Sequence, residues 1–468
     1  VRKLLFFDNW ELLDCTGFQR TVHKPKKHEK NPLYMPDKPW EYSNMHFYGT
    51  VIYRPDIKKF QLWYTSVGDS LESPESSTMR LCYLESADGI NFTAPSLSIY
   101  THEDKPTNVV HPGNLHGCAV IYDDREVLED RRYKMLAGIG MTPIRAYFSA
   151  NGINWRDASL LQVIVSDPDC PIGFCRLPDG RYIATHRYRG RGRTVFASQS
   201  WDLLHWSDPQ LVYEPDATDP PGTMVYGMGI STYGHYILGT PWLYHLDADD
   251  FTTRHGIQEP ELAYARSITA WHRLSSGAPL LDNENPAEWE SGNIQMSSNI
   301  IYLDDEIRFY YAASSQRHGT PRSERHLQKA GLGMASLRPD GFVSLDTGGD
   351  GGRIRTRRVQ LYSRKITINA DIAANGYVKL RLINKDKEYL PIEATAVHSG
   401  DHKAATIMLD SLPSEYVLLE ISASNASIYS ISLMDSEEEQ PIYHNFNKLI
   451  EIEKNLPFTK QPINYLYK

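Results

Sequence analysis

The stretch LCYLESADGINF, residues 81–92, decides the fold because it does not stand alone. AYFSANGINW (146–155), VFASQSWDLLHW (195–206) and LAYARSITAWHR (262–273) repeat its plan, and LGMASLRPDGF (332–342) is a looser copy. Each begins as a short aromatic or aliphatic strand, turns through Ser, Asp, Asn or Gly, and ends on an aromatic residue. The turn anchors fall near Ser86, Ser149, Ser198, Ala265 and Ser336, a period of roughly 60 residues of the kind that marks a repeat architecture. Working outward, a second strand precedes each copy: KFQLWYTS (59–66), RYKMLAGIG (132–140), RYIATHRY (181–188), GHYILGTPW (234–242) and EIRFYYAAS (306–314). Ahead of those lie FYGTVIY (47–53), GNLHGCAVIY (113–122), PIGFCRL (171–177), YGMGISTY (226–233) and IQMSSNIIY (294–302). Helical periodicity is nearly absent before residue 345. Four strands recurring five times predict an all-β chain whose residues 1–345 form a five-bladed β-propeller. A large two-sheet sandwich has no need of this self-similarity.

At DTGGDGGRIRTRR (346–358) the composition turns Gly- and Arg-rich, which reads as a linker. The segments YVKLRLINKD, AATIMLD, YVLLEISAS and SIYSISL then alternate apolar and polar residues, as antiparallel strands covered on one face do. Residues 346–435 are therefore expected to form a small β-sandwich, with 436–468 a tail that packs on the surface or is partly disordered.

Bulk composition excludes several functions. A net charge of −9 offers no general attraction for nucleic acid or an anionic membrane, and no run approaches the ~18 apolar residues of a membrane span. Cys15, Cys82, Cys118, Cys170 and Cys175 are odd in number and scattered, which speaks against a disulfide framework and favours a cytoplasmic over a secreted protein. VRKLLFFDNW at the start carries no long apolar core or cleavage site, so no signal peptide is visible. The 29 tyrosines and 9 tryptophans suit strands and surfaces that stack on sugar rings. No feature specifies an oligomeric state or a cofactor.

In a propeller the first strand of each blade lines the central channel, so aligning the repeats gives a set of pocket candidates. These are Asn44-Met45-His46, His111 to His116 with Asn114, Asp167 and Asp169, Met224 to Tyr226, and Glu290 to Gln295 with Asn293. Polar residues recur there where a purely structural strand would carry small apolar ones. Loops between second and third strands add Arg187, Arg189, Arg191 and Arg193, the stretch 245–261, and His318. Trp242, Tyr226 and Trp289 offer aromatic surface. Acid–base cleavage of a glycosidic bond generally takes two carboxyl groups. Glu259 and Glu261, spaced to point the same way around Pro260, together with Asp169 and Glu290, are the candidates; the alternative is that they cap turns or pair with loop arginines. RYRGRGR (187–193) suits bidentate recognition of a carboxylate, sulfate or phosphate, or an ion-pair network with Glu259 and Glu261. His46, His116 and His111 are placed to meet near the axis, for hydrogen bonds to sugar hydroxyls ahead of metal binding.

Several stretches carry a family resemblance: LFFDNWELLD (5–14), HKPKKH (23–28), PDKPWE (36–41), GTVIYRPDIKKFQLWYTS (49–66), LCYLESADGINFTAP (81–95), DRRYKML (130–136) and GLGMASLRPDGFVSLDTG (331–348). Their order resembles a broad group of bacterial glycosidases related to the five-bladed glycoside hydrolases of families 32, 43 and 68. The likeness extends through GGRIRTRRVQLYSRKITINADIAANGYVKLRLIN (351–384) and covers most of residues 1–435. It implies a funnel-shaped pocket for a terminal sugar and an acidic trio on the inner strands of the first three blades. This chain departs from that trio: the first blade offers His46, the second Asn114 and His116, and only the third offers a carboxylate, Asp169. The expectation is a glycoside hydrolase acting on a terminal sugar, an anionic one included. Glu290 then serves as acid, Asp169 or Glu261 as base or nucleophile, and the arginines hold the substrate. A carbohydrate-binding propeller without catalysis, and a His-dependent metal enzyme or lyase, are the alternatives.

Overall fold

The computed structural model describes residues 1–434 apart from 43, 70–76, 114, 140–143, 159–160, 167–171, 189–191, 248–254, 275–276, 282–285, 321–323, 325–326 and 391–395. The chain is all-β: among the described residues the helical elements are three short 3-10 turns. It divides into two compact units, Val22–Phe342 and a second made of Val1–Thr21 with 343–468.

In the larger unit, each expected strand set forms an antiparallel sheet. The first sheet runs His46–Arg54, Lys59–Asp69, Ser77–Ser86, Val109–His111. The second runs Leu115–Tyr122, Tyr133–Ile139, Ile144–Ser149, Arg156–Asp157. The third runs Gly173–Arg176, Tyr182–His186, Val195–Ser200, Gln210–Tyr213. The last two strand sets belong to one 10-stranded network. One is Thr223–Tyr233, Tyr236–Leu246, Ala263–Ala265, Trp271–Arg273, and the other is Asn293–Met296, Ile307–Ser314, Ala330–Leu337, Lys26–Lys27. Gly256–Pro260 joins them, pairing with Tyr236–Leu246 and, in parallel, with Asn293 through Gln258.

Neighbouring sheets share cores. Trp63 and Tyr83 pack with Cys118, Met135 and Tyr147; Ala119 and Leu136 with Phe174 and Ala184; Ile183 and Ala197 with Met228 and Leu243; Tyr310 and Leu332 with Phe47 and Leu62. Polar contacts between neighbouring sheets follow the same succession. Val120 N donates to Thr50 Oγ1 at 2.9 Å, Thr185 Oγ1 to the Met228 carbonyl at 2.6 Å, Ile230 N to the Ser298 carbonyl at 2.9 Å, and Ser298 N to the Gly49 carbonyl at 3.0 Å. The order of sheets thus returns to its start. A strand packed on both faces must be apolar on both, which is why Tyr236–Leu246 reads as a nearly continuous buried run.

The repeated turn has one physical cause. Ser86, Ser149 and Ser200 each accept, on Oγ, the N–H three residues ahead at 2.9 Å, from Gly89, Gly152 and Leu203. Asp88, Asn151 and Asp202 then accept the next two N–H groups at 2.8–3.0 Å. The donating residue sits at φ near +70° in all three; glycine adopts this freely, and Leu203, in the third copy, is buried. The third anchor is therefore Ser200, two residues beyond the expected Ser198, whose hydroxyl instead meets His186.

The closing segment comes from far back in sequence. Lys26 and Lys27 pair with Ser336 and Ala335. Asn31 extends this edge with its side chain, accepting from Met334 N at 3.0 Å and donating to the Met334 carbonyl at 2.9 Å.

The sequence boundary at 345/346 left the chain's first residues with the repeats. In the structure Arg2–Leu5 pairs with Leu418–Leu433, and Leu12–Thr16 pairs with Gly352–Thr356. The smaller unit carries a nine-stranded sheet network built on Lys365–Ile383, Ala396–Met408 and Leu418–Leu433. The expected linker 346–358 is a correction: Val343–Thr347 and Gly352–Thr356 are strands of this sheet, and the glycines form the turn between them, with Gly351 at φ +74°. Cys82, Cys118 and Cys175 are buried and unpaired, Cys15 is exposed, and Cys170 and the tail 436–468 lie outside the described residues. No helix of the described residues is long and apolar enough to cross a membrane.

Candidate functional site

A cavity of about 410 Å³ opens where the first strands of the sheets begin. His46, His116, Tyr226, Asn293, Gln295 and His318 line it, with Tyr48, Arg193, Arg317, Gln316 and Gln328. The first strands of four of the sheets bring polar residues to this end, and His46 and Tyr48 share one face through strand alternation. His318 comes from the loop after Ile307–Ser314. A mutual backbone bridge to Gly256 fixes it, with His318 N donating to the Gly256 carbonyl at 3.0 Å. A side chain at Gly256 would lie 2.3 Å from the His245 carbonyl, so that approach requires glycine.

The polar groups form a directional network. Tyr48 Oη donates to Tyr226 Oη at 3.1 Å, Tyr226 Oη lies 3.1 Å from His318 Nε2, and Tyr244 Oη lies 3.0 Å from His318 Nδ1. Trp242 stacks on both Tyr48 and Tyr226 at 6.2 and 6.4 Å between ring centroids, so it backs the two tyrosines and does not line the cavity. The guanidinium of Arg187 lies 4.6 Å and that of Arg193 5.4 Å from the Tyr226 ring centroid, with Arg193 also 5.1 Å from that of Tyr244. Asn293 and Gln295 stitch strands together as well as facing the cavity. Asn293 accepts from Gln258 N at 3.0 Å, and Gln295 joins Gln258 at 3.1 Å and Phe47 N at 3.1 Å.

Beside Arg187, His186 is buried, with Nδ1 2.8 Å from the Arg187 carbonyl and Nε2 3.0 Å from Ser198 Oγ. Burial lowers its pKa to about 4. Its folded value lies below the unfolded one, so its contribution to stability is present above about pH 6.5 and is lost as pH falls towards 4. Imidazole resonances of His186 followed by NMR are expected to stay those of the neutral ring down to pH 5.

The carboxylates expected to converge are held elsewhere. Glu261 is buried and takes Arg273 in a two-point contact at 2.6 and 2.9 Å; the same guanidinium holds Asp219 at 2.7 and 2.9 Å. Among the described residues the cation that holds Glu261 is Arg273. Glu259 is half-buried with His245 Nε2 at 3.9 Å. Pro260 ends the strand Gly256–Pro260, so the spacing of the two glutamates does not bring them to one cavity. Glu290 is buried between Lys27 Nζ at 2.8 Å and Tyr311 Oη at 3.0 Å, which places it at the closing edge. Burial and then the Glu290 charge raise the Tyr311 pKa, so that phenol stays a donor. Trp289 stacks on Tyr311 at 5.9 Å and is buried, which takes it out of the expected sugar-stacking wall. His111 packs edge-on to Tyr147 at 5.9 Å and does not join His46 and His116. Asn114, Asp167, Asp169, Arg189 and Arg191 lie outside the described residues.

Tyr48, Tyr244 and Arg317 were not singled out by the sequence reading. Tyr48 carries a signal that could have found it, its position two residues after His46 on a first strand. Tyr244 and Arg317 belong to a strand end and a loop whose spacing varies between repeats.

A larger cavity of about 870 Å³ opens at the other ends of the strands. In its wall Asp123 holds Arg176 at 3.0 Å and accepts from Tyr182 at 2.7 Å, and Arg308 is held by Glu306 at 2.6 Å.

No protein-family model matches the chain, and no curated protein matches it in sequence. Solved structures do resemble it. One is described as showing that "the GH130 family of mannoside phosphorylases contains glycoside hydrolases that target beta-1,2 mannosidic linkages in Candida mannan": TM-score 0.48, 16% identity, 72% of this chain and 97% of that one covered. A glycosyl hydrolase from Bacteroides ovatus gives TM-score 0.47 and 15% identity over 68% of this chain and 94% of its own. A family 43 arabinoxylan arabinofuranohydrolase from Bacillus subtilis, in complex with cellotetraose, gives TM-score 0.41 and 10% identity over 88% and 99%. All three are glycoside hydrolases by name, the group that the sequence motifs resemble.

Proposed function

We propose that Val22–Phe342 is a five-bladed β-propeller, that the smaller unit is a β-sandwich, and that the protein is a glycoside hydrolase-like enzyme. It cleaves a terminal sugar held in the cavity between the first strands. The observation that carries this reading is the convergence of His46, His116, Tyr226, Asn293, Gln295 and His318 on one cavity of about 410 Å³. That volume falls in the range of small-molecule sites, and imidazole, amide and phenol groups are the donors and acceptors that sugar hydroxyls take. Arg193 and Arg317 add positive charge at the wall, which suits a sugar bearing a carboxylate, sulfate or phosphate.

A panel of nitrophenyl glycosides and oligosaccharides, neutral and anionic, tests it by product release and by calorimetry. Turnover of an anionic terminal sugar is the expected result. Glycan binding without any product would leave a carbohydrate-binding propeller, and neither binding nor product would overturn the reading. Arg193→Met is expected to raise KM for the anionic sugar by about 10-fold or more, with little change for a neutral analogue of the same linkage.

A further inference from the structure

We infer that this cavity breaks the glycosidic bond of a uronate-containing chain by β-elimination, with Tyr226 exchanging the proton with the substrate. The inference rests on the reading that the cavity holds a sugar; it names that sugar as a uronate and puts elimination in place of hydrolysis.

The network around His318 supplies the first argument. A neutral imidazole has one donor and one acceptor nitrogen, so its two tyrosine contacts run in opposite senses. Tyr226 already accepts a hydrogen bond from Tyr48. Tyr226 Oη also lies 3.1 Å from His318 Nε2, and with the Tyr226 proton on that contact the Nδ1–H of the ring faces Tyr244 Oη at 3.0 Å. This is a hydroxyl hydrogen-bonded to a base that a third group orients, the arrangement that activates a hydroxyl for proton transfer. Two guanidinium groups lie within 5.4 Å of the Tyr226 ring centroid, so cationic side chains flank this phenol.

The second argument is what such a group can do to a sugar. A sugar carbon bears a hydrogen acidic enough for a phenolate only beside a carboxylate whose charge is neutralised, as at C5 of a uronate. Arg193 stands in the cavity wall beside Tyr226 and meets that demand. The steps balance without water, metal or redox partner. His318 Nε2 takes the Tyr226 proton. The phenolate then removes H5, and the C–H electron pair is delocalised onto the carboxylate held by the arginine. That pair returns as the C4=C5 double bond while the C4–O bond breaks. The departing oxygen leaves with the proton from Tyr226 Oη, and His318 gives back the proton it took. The products are one chain with a new hydroxyl end and one with a 4,5-unsaturated uronate. Carboxylate-driven hydrolysis by Glu261 and Glu290 is a poorer fit, since Arg273, Lys27 and Tyr311 hold those side chains away from this cavity.

The full chain incubated with uronate polymers and oligomers, and with neutral polymers of matching linkage, decides the matter. Reducing ends are measured beside the ultraviolet absorbance of the conjugated double bond, with ¹⁸O-water present for mass analysis of products. Elimination predicts both signals together, no ¹⁸O at the new ends, and no action on neutral chains. Tyr226→Phe should lower the absorbance rate by about 100-fold or more while calorimetric uronate binding and the melting temperature stay close to the parent's. Reducing ends with ¹⁸O and no absorbance would overturn elimination and keep the hydrolase reading. Uronate binding with no product would overturn the bond chemistry, and a fully active Tyr226→Phe would overturn the role of that residue. Absence of binding and product on every sugar would overturn both readings.

Discussion

Arg273→Ala should lower the unfolding free energy of the protein by about 4 kcal/mol, read as a shift in the denaturant midpoint at unchanged slope. The guanidinium side chain is 7% exposed, and the side chains of Glu261 and Asp219 that it holds are each 3% exposed. Deleting it strands two buried carboxylates at once, and an uncompensated buried charge costs far more than a lost surface pair. The test is internal: Glu261→Gln with Asp219→Asn, added to Arg273→Ala, should recover a good part of the loss, because the stranded charges and not the missing contacts dominate it. pH gives a second check. Burial already raises the Glu261 pKa even with Arg273 opposing it. A carboxyl whose folded pKa is raised contributes stability that is full below its unfolded value and lost as pH rises through the folded one. The deficit of Arg273→Ala should accordingly shrink in acid and grow towards neutral pH. A deficit that deepens on acidification would show that the charges are not its cause.

Glu290→Ala should cost about 3 kcal/mol for a related reason, with a different local consequence. Glu290 ties Lys27, on the segment that returns from the start of the chain, to Tyr311 in the middle of the sheet it completes. Removing it takes one partner from the mostly buried Lys27 ammonium and the carboxylate acceptor from the buried Tyr311 phenol. Amide exchange should rise first across Lys26–Lys27 and Ala330–Leu337, ahead of the other sheets. Glu290→Gln, which keeps an oxygen for Tyr311 but not the charge for Lys27, should fall between parent and Ala. If Glu290→Ala removed activity while leaving both stability and that exchange pattern untouched, its role would be chemical and not architectural.

The strands were legible because their apolar periodicity is regular and because one serine-anchored turn recurs. Its third copy was misplaced since VFASQS holds two serines, and only hydrogen bonding tells Ser200 from Ser198. The sheet of the smaller unit was half legible. Alternation marks Leu418–Leu433, but nothing local in RKLL or LLDCT says that these strands pair more than 300 residues away. DTGGDGG looks like a linker by composition, yet five-residue strands flank its turn. At the candidate site, aligning repeats picks out first-strand positions, and His46, His116, Tyr226 and Asn293 share a cavity for that reason. Carboxylates were harder to place, because burial and a nearby cation attract Glu261 and Glu290 as strongly as a substrate pocket would. Such partners come from other strands, and sequence spacing does not reveal them.

The closing edge also sets an order of events during synthesis. Lys27 and Ala335 are paired neighbours separated by 335 − 27 = 308 positions. At ~5–20 residues per second, the earlier segment emerges roughly 15–60 s before the strand it will join exists. Until then it has no partner, and afterwards the last sheet presents a bare flank until the early segment docks. An unpaired β flank recruits other chains. The seam at Lys26–Lys27 is therefore where self-association during biogenesis should start, and where a weakened clasp such as Glu290→Ala should first show itself as lower soluble yield.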